Sequence, residues 1–123
     1  MKLYIDTYAM IEYLNGNRDY AKYFKGQSLV TSILNLGELY YLLLRDSGEM
    51  MADRAYLAFA NYQTPITEQD VKDGMKFRLR LKAQRVNLSY ADAIGYSIAQ
   101  RDKARYLTGD DAFKALSGVE FVK

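Results

Sequence analysis

Four acidic residues, widely separated along the chain, are the side chains best suited to do chemistry. They are Asp6, Glu38, Asp92 and Asp110. The chain contains no cysteine and no histidine, which excludes disulfides, thiolate metal sites and imidazole catalysis. Carboxylates are therefore the groups left for acid–base or metal chemistry near neutral pH.

The first acid follows a short predicted strand near the N-terminus. Residues 2–5 are rich in β-forming side chains and stop at Asp6, and a helical pattern resumes at Ala9. In a parallel α/β sheet, such a strand-to-helix turn lies at the carboxyl edge, where ligands bind. A helix N-cap explains Asp6 equally well, because acids are favoured at helix N-termini.

Glu38 lies in the most apolar part of the chain, within a helix predicted over 33–44. This helix is apolar nearly all round, which predicts burial on most sides. An uncompensated buried carboxylate costs several kcal/mol, so we favour a functional role for Glu38. The alternative is an outward-facing glutamate on an exposed stripe with Asn35 and Arg45.

The remaining acids stand at predicted helix starts. Ser89 and Asp92 occupy the N-cap and N3 positions of one helix, in a pattern close to a capping box, so capping explains Asp92 as well as function does. Asp110 and Asp111 follow a predicted strand. Because two adjacent acids cannot both serve the same cap, we expect one cap and one site acid.

Predicted strands and helices alternate along the whole chain. The strands are expected at 2–5, 29–31, 64–66, 104–107 and 119–122. Strands separated by helices predict a parallel sheet with right-handed crossovers. We therefore expect a three-layer α/β/α fold with a parallel, roughly five-stranded sheet, formed by residues 1–123 as a single domain.

In this fold, the acids after strands and at helix starts would meet at one edge of the sheet. Carboxylates within ~5 Å of each other repel by roughly 3 kcal/mol per pair at an effective dielectric constant of ~20. A cluster of four must therefore hold protons or cations. Ligand sets made only of oxygen select hard ions such as Mg²⁺ or Mn²⁺.

The four acids also occur in a recognisable order of short motifs. These are Ile5-Asp6-Thr7, Gly37-Glu38-Leu39, Tyr90-Ala91-Asp92-Ala93 and Leu107-Thr108-Gly109-Asp110. Over essentially the whole chain this order resembles the PIN domain, and especially the small VapC-type toxins of toxin–antitoxin pairs. The resemblance implies metal-dependent hydrolysis of RNA.

The resemblance assigns roles position by position. Asp6, Glu38, Asp92 and Asp110 would be the catalytic and metal-binding acids, with Mg²⁺ or Mn²⁺ as the cofactor. Three further residues would support them: Thr7 matches the usual residue after the first acid, Thr108 the hydroxyl residue two positions before the last, and Asp111 is a cap or an outer ligand. Tyr8 departs from the family, in which asparagine is common at this position.

The resemblance also implies partners. These are an RNA substrate, a cognate antitoxin that blocks the site, and a second copy of the chain in a homodimer. Candidate protein contacts, by analogy, are Tyr40, Tyr41 and the Met50–Met51 region. Candidate RNA contacts are Lys72, Lys76 and Arg80 on a basic helix predicted over 68–85. A solvated helix or an antitoxin-contact surface explains the same charges.

Two observations bear on location, and two alternative functions stay open. No apolar run reaches the ~18 residues of a membrane span, and acids interrupt the N-terminal stretch, so we expect a cytoplasmic protein without membrane contact. A catalytically inactive PIN-like module that binds RNA or a partner is one alternative. A receiver-type phosphoacceptor domain is the other, although it lacks the expected paired acids after the first strand.

Overall fold

A parallel sheet forms the centre of the computed structural model, which describes all residues from Met1 to Lys123. The sheet order is β2-β1-β3-β4. The strands are β1 (Lys2–Ile5), β2 (Ser28–Val30), β3 (Arg105–Thr108) and β4 (Val119–Phe121). Tyr4 is aligned with Val30 on one side and with Tyr106 on the other. β1 and β3 are therefore the central strands, and both lead directly into predicted site residues.

Helices cover both faces of the sheet, which confirms the predicted three-layer α/β/α architecture. They are α1 (Thr7–Leu14), α2 (Arg18–Ala21), α3 (Ile33–Ser47), α4 (Glu49–Ala60), α5 (Glu68–Ala83) and α6 (Tyr90–Arg101). Two 3₁₀ helices, Lys22–Phe24 and Asp111–Phe113, complete the chain. No helix is long and apolar enough to cross a membrane.

Alternation along the central strands divides the core in two. Leu3, Ile5 and Leu107 pack with α1, α3 and α4, whereas Tyr4 and Tyr106 pack with α5 and α6. The rings of Tyr4 and Tyr106 are stacked, with centroids 5.1 Å apart. Because both faces are covered, the strands are apolar on both sides, as is typical of parallel sheets.

The predicted strand at 64–66 does not form, so the sheet has four strands rather than five. Its place is taken by one parallel bridge between Thr31 and Gln63. Pro65 has no amide to donate to a ladder. Arg101 instead donates to the Pro65 carbonyl (3.1 Å) and to the Thr64 hydroxyl (3.0 Å), so a side chain holds this segment.

Two predictions about helix faces are wrong. α3 is not buried on most sides, since Tyr41 is 62% exposed. The helical spacing of Val71, Met75 and Leu79 predicts that they form the inner stripe of α5, yet Leu79 is 73% exposed and only Met75 packs against the core. The buried residues of α5 are Asp70, Gly74 and Leu81. Gly74 lies against the α6 backbone, where an added Cβ would come within 3.0 Å of the Ile94 Cα. A polar and a very small residue therefore face inward, which a hydrophobicity pattern cannot detect.

Candidate active site

All four predicted site acids line one cavity of about 250 Å³ at the carboxyl edge of the sheet. Its lining consists of Asp6, Thr7, Tyr8, Ile11, Asn35, Glu38, Leu42, Asp92 and Asp110. None of these residues is a lysine or an arginine. The cavity therefore concentrates negative charge without a cationic side chain among its lining residues.

Asp6 is both a helix cap and a lining residue of the cavity. Its Oδ1 accepts a hydrogen bond from the Ala9 amide at 2.9 Å, and its side chain is almost fully buried. Burial raises the pKa of Asp6 to about 7, with the charges of Asp92 and Asp110 adding to the shift and hydrogen bonds from Thr108 and Ala9 opposing it. The two interpretations of Asp6 therefore coexist.

Asp92 lies in the first turn of α6, with its carboxylate at the cavity. Ser89 caps the helix by accepting a hydrogen bond from the Asp92 amide at 3.0 Å. Burial is the main cause that raises the pKa of Asp92, and the charges of Asp110 and Glu38 add to it, while hydrogen bonding to Ser89 opposes it. The carboxylate is thus placed where other negative charges disfavour its ionised form.

Glu38 reaches the same cavity from α3, but it is exposed, so the expectation of a buried carboxylate is wrong. The exposed stripe proposed as the alternative does not form either, because Asn35 is buried. Asn35 and Glu38, one helical turn apart, both line the cavity. Glu38 therefore lies at the solvent-exposed rim of the cavity, and Asn35 at its floor.

Asp110 and Asp111 divide their roles differently from the prediction. Asp110 alone combines the two functions: its Oδ1 caps the following turn through the Ala112 amide at 3.0 Å, and it lines the cavity. Asp111 is exposed, is not part of the lining and pairs with Lys123 at 2.8 Å. Thr108 is buried, and its hydroxyl accepts a hydrogen bond from the Asp110 amide at 3.0 Å.

A buried polar network below the acids was missed at the sequence level. Asn35 accepts a hydrogen bond from the Tyr4 hydroxyl and donates to the Thr7 hydroxyl at 3.0 Å, and Thr7 donates back to the Asn35 carbonyl at 3.2 Å. Ser32, at the N-cap position of α3, makes no side-chain cap bond, and its hydroxyl instead forms a hydrogen bond with the Tyr4 hydroxyl at 2.9 Å. The helical spacing of Asn35 and Glu38 was the signal that could have revealed Asn35.

We expect Asn35→Ala to lower the free energy of unfolding by about 1–3 kcal/mol, because the buried hydroxyls of Tyr4 and Thr7 each lose their hydrogen bond to the Asn35 side chain. Urea denaturation of the metal-free protein measures the change. The exposed Asn87 provides a control, and Asn87→Ala should change stability by less than about 0.5 kcal/mol. Equal, small effects of the two substitutions would mean that the Asn35 network does not stabilise the site.

Two of the three candidate RNA contacts on α5 line a separate pocket between α5 and α6. These are Lys76 and Arg80, whereas Lys72, one helical turn before Lys76, is not among the lining residues. On the other side of the sheet, Tyr41, Met50 and Met51 are each at least half exposed. They form part of an apolar surface on α3 and α4.

The carboxylates of the cavity are neighbours rather than a closed coordination sphere. As the side chains stand, no three acidic residues converge closely enough to hold one ion by themselves. The arrangement supplies oxygen donors from four acids with room between them.

A family model described as the PIN domain matches residues 3–119. The chain belongs to the PIN domain family. The match confirms the resemblance seen in the four motifs, and it leaves the receiver-domain alternative without support. No curated protein matches the chain with significance.

Solved structures of a VapBC assembly, a toxin–antitoxin complex and a VapC toxin are similar to this chain in fold. VapBC2 from Rickettsia felis, bound to a DNA fragment from its promoter, has a TM-score of 0.78 at 16% identity, covering 99% of this chain and 98% of that one. A toxin–antitoxin complex from Klebsiella pneumoniae has a TM-score of 0.78 at 19% identity, and the match covers 96% of this chain and 95% of that one. VapC20 from Mycobacterium tuberculosis, described as a sarcin-ricin loop cleaving toxin, has a TM-score of 0.76 at 18% identity, and the match covers 98% of this chain and 96% of that one.

Proposed function

We propose that this PIN domain is a divalent-metal-dependent endoribonuclease and the toxin of a toxin–antitoxin pair. The observation that carries the proposal is that Asp6, Glu38, Asp92 and Asp110 line one cavity without a lysine or arginine in the lining. A metal ion would supply the missing positive charge. RNA is the substrate class because the structurally similar VapC20 is described as cleaving the sarcin-ricin loop.

The donor set fits a hydrated Mg²⁺ or Mn²⁺ ion. All four acids offer oxygen, which these hard ions prefer, and Mg²⁺ commonly keeps several waters while binding one or two carboxylates. Full convergence of the four side chains is therefore not required. When bound, the ion would lower the pKa of a coordinated water and neutralise charge on the phosphate.

The protein part of the mechanism is the fixing of the acids before substrate arrives. Asp6 is held by hydrogen bonds from the Ala9 amide and from the Thr108 hydroxyl. Asp110 is held similarly through the Ala112 amide, while its own amide is held by Thr108. Side chains held in place lose less conformational freedom on binding, so they present ligands at low cost.

The proposed antitoxin contact uses the apolar outer surface of α3 and α4. Its most exposed members are Tyr41 (62%), Met50 (68%) and Leu57 (72%). Adjacent exposed apolar side chains of this extent are typical of protein interaction sites. Structural relatives in complexes with antitoxins support this assignment, and a homodimer is proposed on the same family grounds.

Asp92→Asn tests the nuclease proposal. We expect a loss of RNA cleavage of about 100-fold in Mg²⁺ or Mn²⁺, because a ligand is removed while the Ser89 cap is kept. Asp111→Asn is the matched control, since it removes an equal charge from an acid outside the cavity, and it should retain cleavage within about 2-fold. The measurement is the initial rate of cleavage of a fluorescently labelled single-stranded RNA.

Two outcomes would contradict the proposal. Cleavage by the wild type in EDTA at the rate seen with metal would remove the ion from the mechanism. If the wild type binds RNA but does not cleave it in the presence of Mg²⁺ or Mn²⁺, the inactive PIN-like binding module would be favoured instead.

A further inference from the structure

A second polar pocket, of about 340 Å³, lies between α5 and α6. It is lined by Asp73, Lys76, Phe77, Arg80, Ser97, Gln100 and Arg101. None of these residues lines the cavity of the four acids, so the two sites are separate. The charge of the second pocket is also opposite, because three of its residues are cations and one is an acid.

Arg101 is occupied by structural contacts. Its guanidinium pairs with the buried Asp70 and with Asp102, and its remaining donors reach the Pro65 carbonyl and the Thr64 hydroxyl. It holds the segment before α5 against the end of α6. Arg101 therefore contributes to the wall of the pocket rather than to ligand binding.

Lys76 and Arg80, by contrast, have no ion-pair or hydrogen-bond partner in the chain. The guanidinium of Arg80 lies 5.8 Å from the centre of the Phe77 ring, which is itself stacked on Tyr96 at 4.4 Å. A fixed aromatic surface thus positions one of the two cations. Two unpaired cations on neighbouring turns form the charged side of the pocket.

The opposite side of the pocket offers neutral hydrogen-bonding groups from α6. Ser97 is only 7% exposed, and neither its hydroxyl nor the Gln100 amide has a partner within the chain. Both groups line the pocket and are free to donate hydrogen bonds to a ligand that accepts them. Cations on one side and neutral donors on the other are complementary to a phosphate group.

We propose that this pocket binds a backbone phosphate of the single-stranded RNA that is cleaved at the acid cavity. The inference rests on the proposed nuclease function, because acids repel RNA and its affinity must come from cations elsewhere. α6 connects the two sites: Asp92 is in its first turn and Gln100 in its last, about 12 Å apart along the axis. A strand crossing α6 would thus be held near the scissile bond.

The test is RNA binding in EDTA, where cleavage is absent. Lys76→Gln/Arg80→Gln removes two charges from the pocket, and Lys82→Gln/Arg85→Gln removes two exposed charges at the end of α5 and just after it, outside the pocket. We expect the pocket pair to weaken binding about 10-fold or more. The slope of log affinity against log salt concentration should become shallower by about 0.7 for each phosphate that the protein no longer neutralises. The control pair should weaken binding by no more than about 2-fold.

Asp73→Asn provides a test in the opposite direction. Asp73 is the one acid of the pocket, and its carboxylate accepts a hydrogen bond from the Gln69 amide at 2.8 Å, which asparagine can retain. Removing its charge should strengthen RNA binding by about 2- to 5-fold. The exposed Glu49 on α4 is the control, and Glu49→Gln should leave affinity unchanged.

A phosphate group in the pocket could belong to free inorganic phosphate or to the RNA backbone. Titration with inorganic phosphate distinguishes the two, and the NMR signals of the Ser97 and Gln100 backbone amides report binding. Phosphate-dependent shifts at these amides without pocket-specific loss of RNA binding would overturn the RNA role. Equal weakening by both double variants would overturn the pocket, because the charges would then act diffusely. Pocket-specific RNA binding by a wild type that cleaves no RNA would support the pocket and refute the nuclease proposal.

Discussion

Asp6→Asn is expected to abolish RNA cleavage, by about 1,000-fold or more, and at the same time to stabilise the metal-free protein. The loss of activity follows from removing the most buried of the proposed metal ligands. The gain in stability follows from removing a carboxylate that is costly to ionise. Opposite effects on activity and stability are the expected signature of a site held in place by the rest of the fold.

The size of the stability gain depends on pH. Burial raises the pKa of Asp6 from 3.8 to about 7, so the folded state disfavours the ionised form. The folded protein then binds more protons than the unfolded chain between these two values, and stability falls as pH rises from about 4 to 7. Above pH 7, the penalty removed by the substitution is at most about 4 kcal/mol.

Urea denaturation at pH 4.5 and pH 8 in EDTA measures this difference. The wild type should lose stability between these pH values, and Asp6→Asn should lose much less. Asparagine is as good an N-cap as aspartate, so the bond from the Ala9 amide is retained. Asp6→Ala is the control for the cap, and it should be about 1 kcal/mol less stable than Asp6→Asn.

A divalent ion should reverse the order of stabilities. The ion binds the ionised carboxylates of the wild type and stabilises it by mass action, whereas the asparagine variant lacks a ligand. Lower stability of Asp6→Asn than wild type at pH 8 in EDTA would contradict the argument. Asp6 would then be an N-cap whose charge the fold needs.

The convergence of the acids was predictable because topology determines it. Asp6 and Asp110 follow the neighbouring parallel strands β1 and β3, so both must leave the sheet at the same edge. The position of Asp92 at the same edge was predictable because Asp92 lies at the start of the helix that leads back to β3. Whether a carboxylate caps, binds or does both was not predictable, because that depends on which of its oxygens faces an amide.

The buried floor of the site was beyond the sequence pattern for a different reason. Asn35 is polar and lies among apolar residues, so it was placed on an exposed stripe. Its burial is stable only because Tyr4, from the central strand, and Thr7 supply hydrogen-bond partners. Such partners lie about 30 positions away in sequence and become neighbours only in the fold.

The face of α5 was mispredicted because its inner stripe is not hydrophobic. Asp70 is buried through its pair with Arg101 and through the reciprocal capping bonds with Thr67, and Gly74 is buried because two helix backbones approach closely. Each of these reasons is a tertiary contact. The error also concealed the pocket, because the correct phase places Lys76 and Arg80 beside Ser97.

Gly109→Ala is expected to destabilise the protein by about 3 kcal/mol and to displace Asp110. Gly109 lies between Thr108 and Asp110 at the end of β3, and an added Cβ would come within 2.3 Å of the Tyr8 ring and 2.5 Å of the Val122 carbonyl oxygen. The carbonyl belongs to the backbone beside β4 and accepts a hydrogen bond from Tyr20, so it cannot move alone. Overpacking of this kind typically costs about 1–3 kcal/mol or more.

Gly37→Ala is the matched control, because Gly37 is in the middle of α3 and an added Cβ would have no neighbour within 4 Å. It should stabilise the protein by about 0.5–1 kcal/mol, since glycine is a poor helix former. Glu38, the next residue, would keep its position, so RNA cleavage should be unchanged. Thermal denaturation and cleavage rates of the two variants therefore show whether the effect of Gly109→Ala comes from the lack of space around Gly109 or only from the loss of glycine flexibility.

A double-mutant cycle identifies the source of the strain at Gly109. In a Tyr8→Ala background the contact with the ring is gone while the contact with the Val122 carbonyl stays, so Gly109→Ala should cost less than in the wild type but not nothing. An unchanged cost would assign the strain to the contact with the Val122 carbonyl alone. Full recovery would show that the Tyr8 ring is the only obstacle.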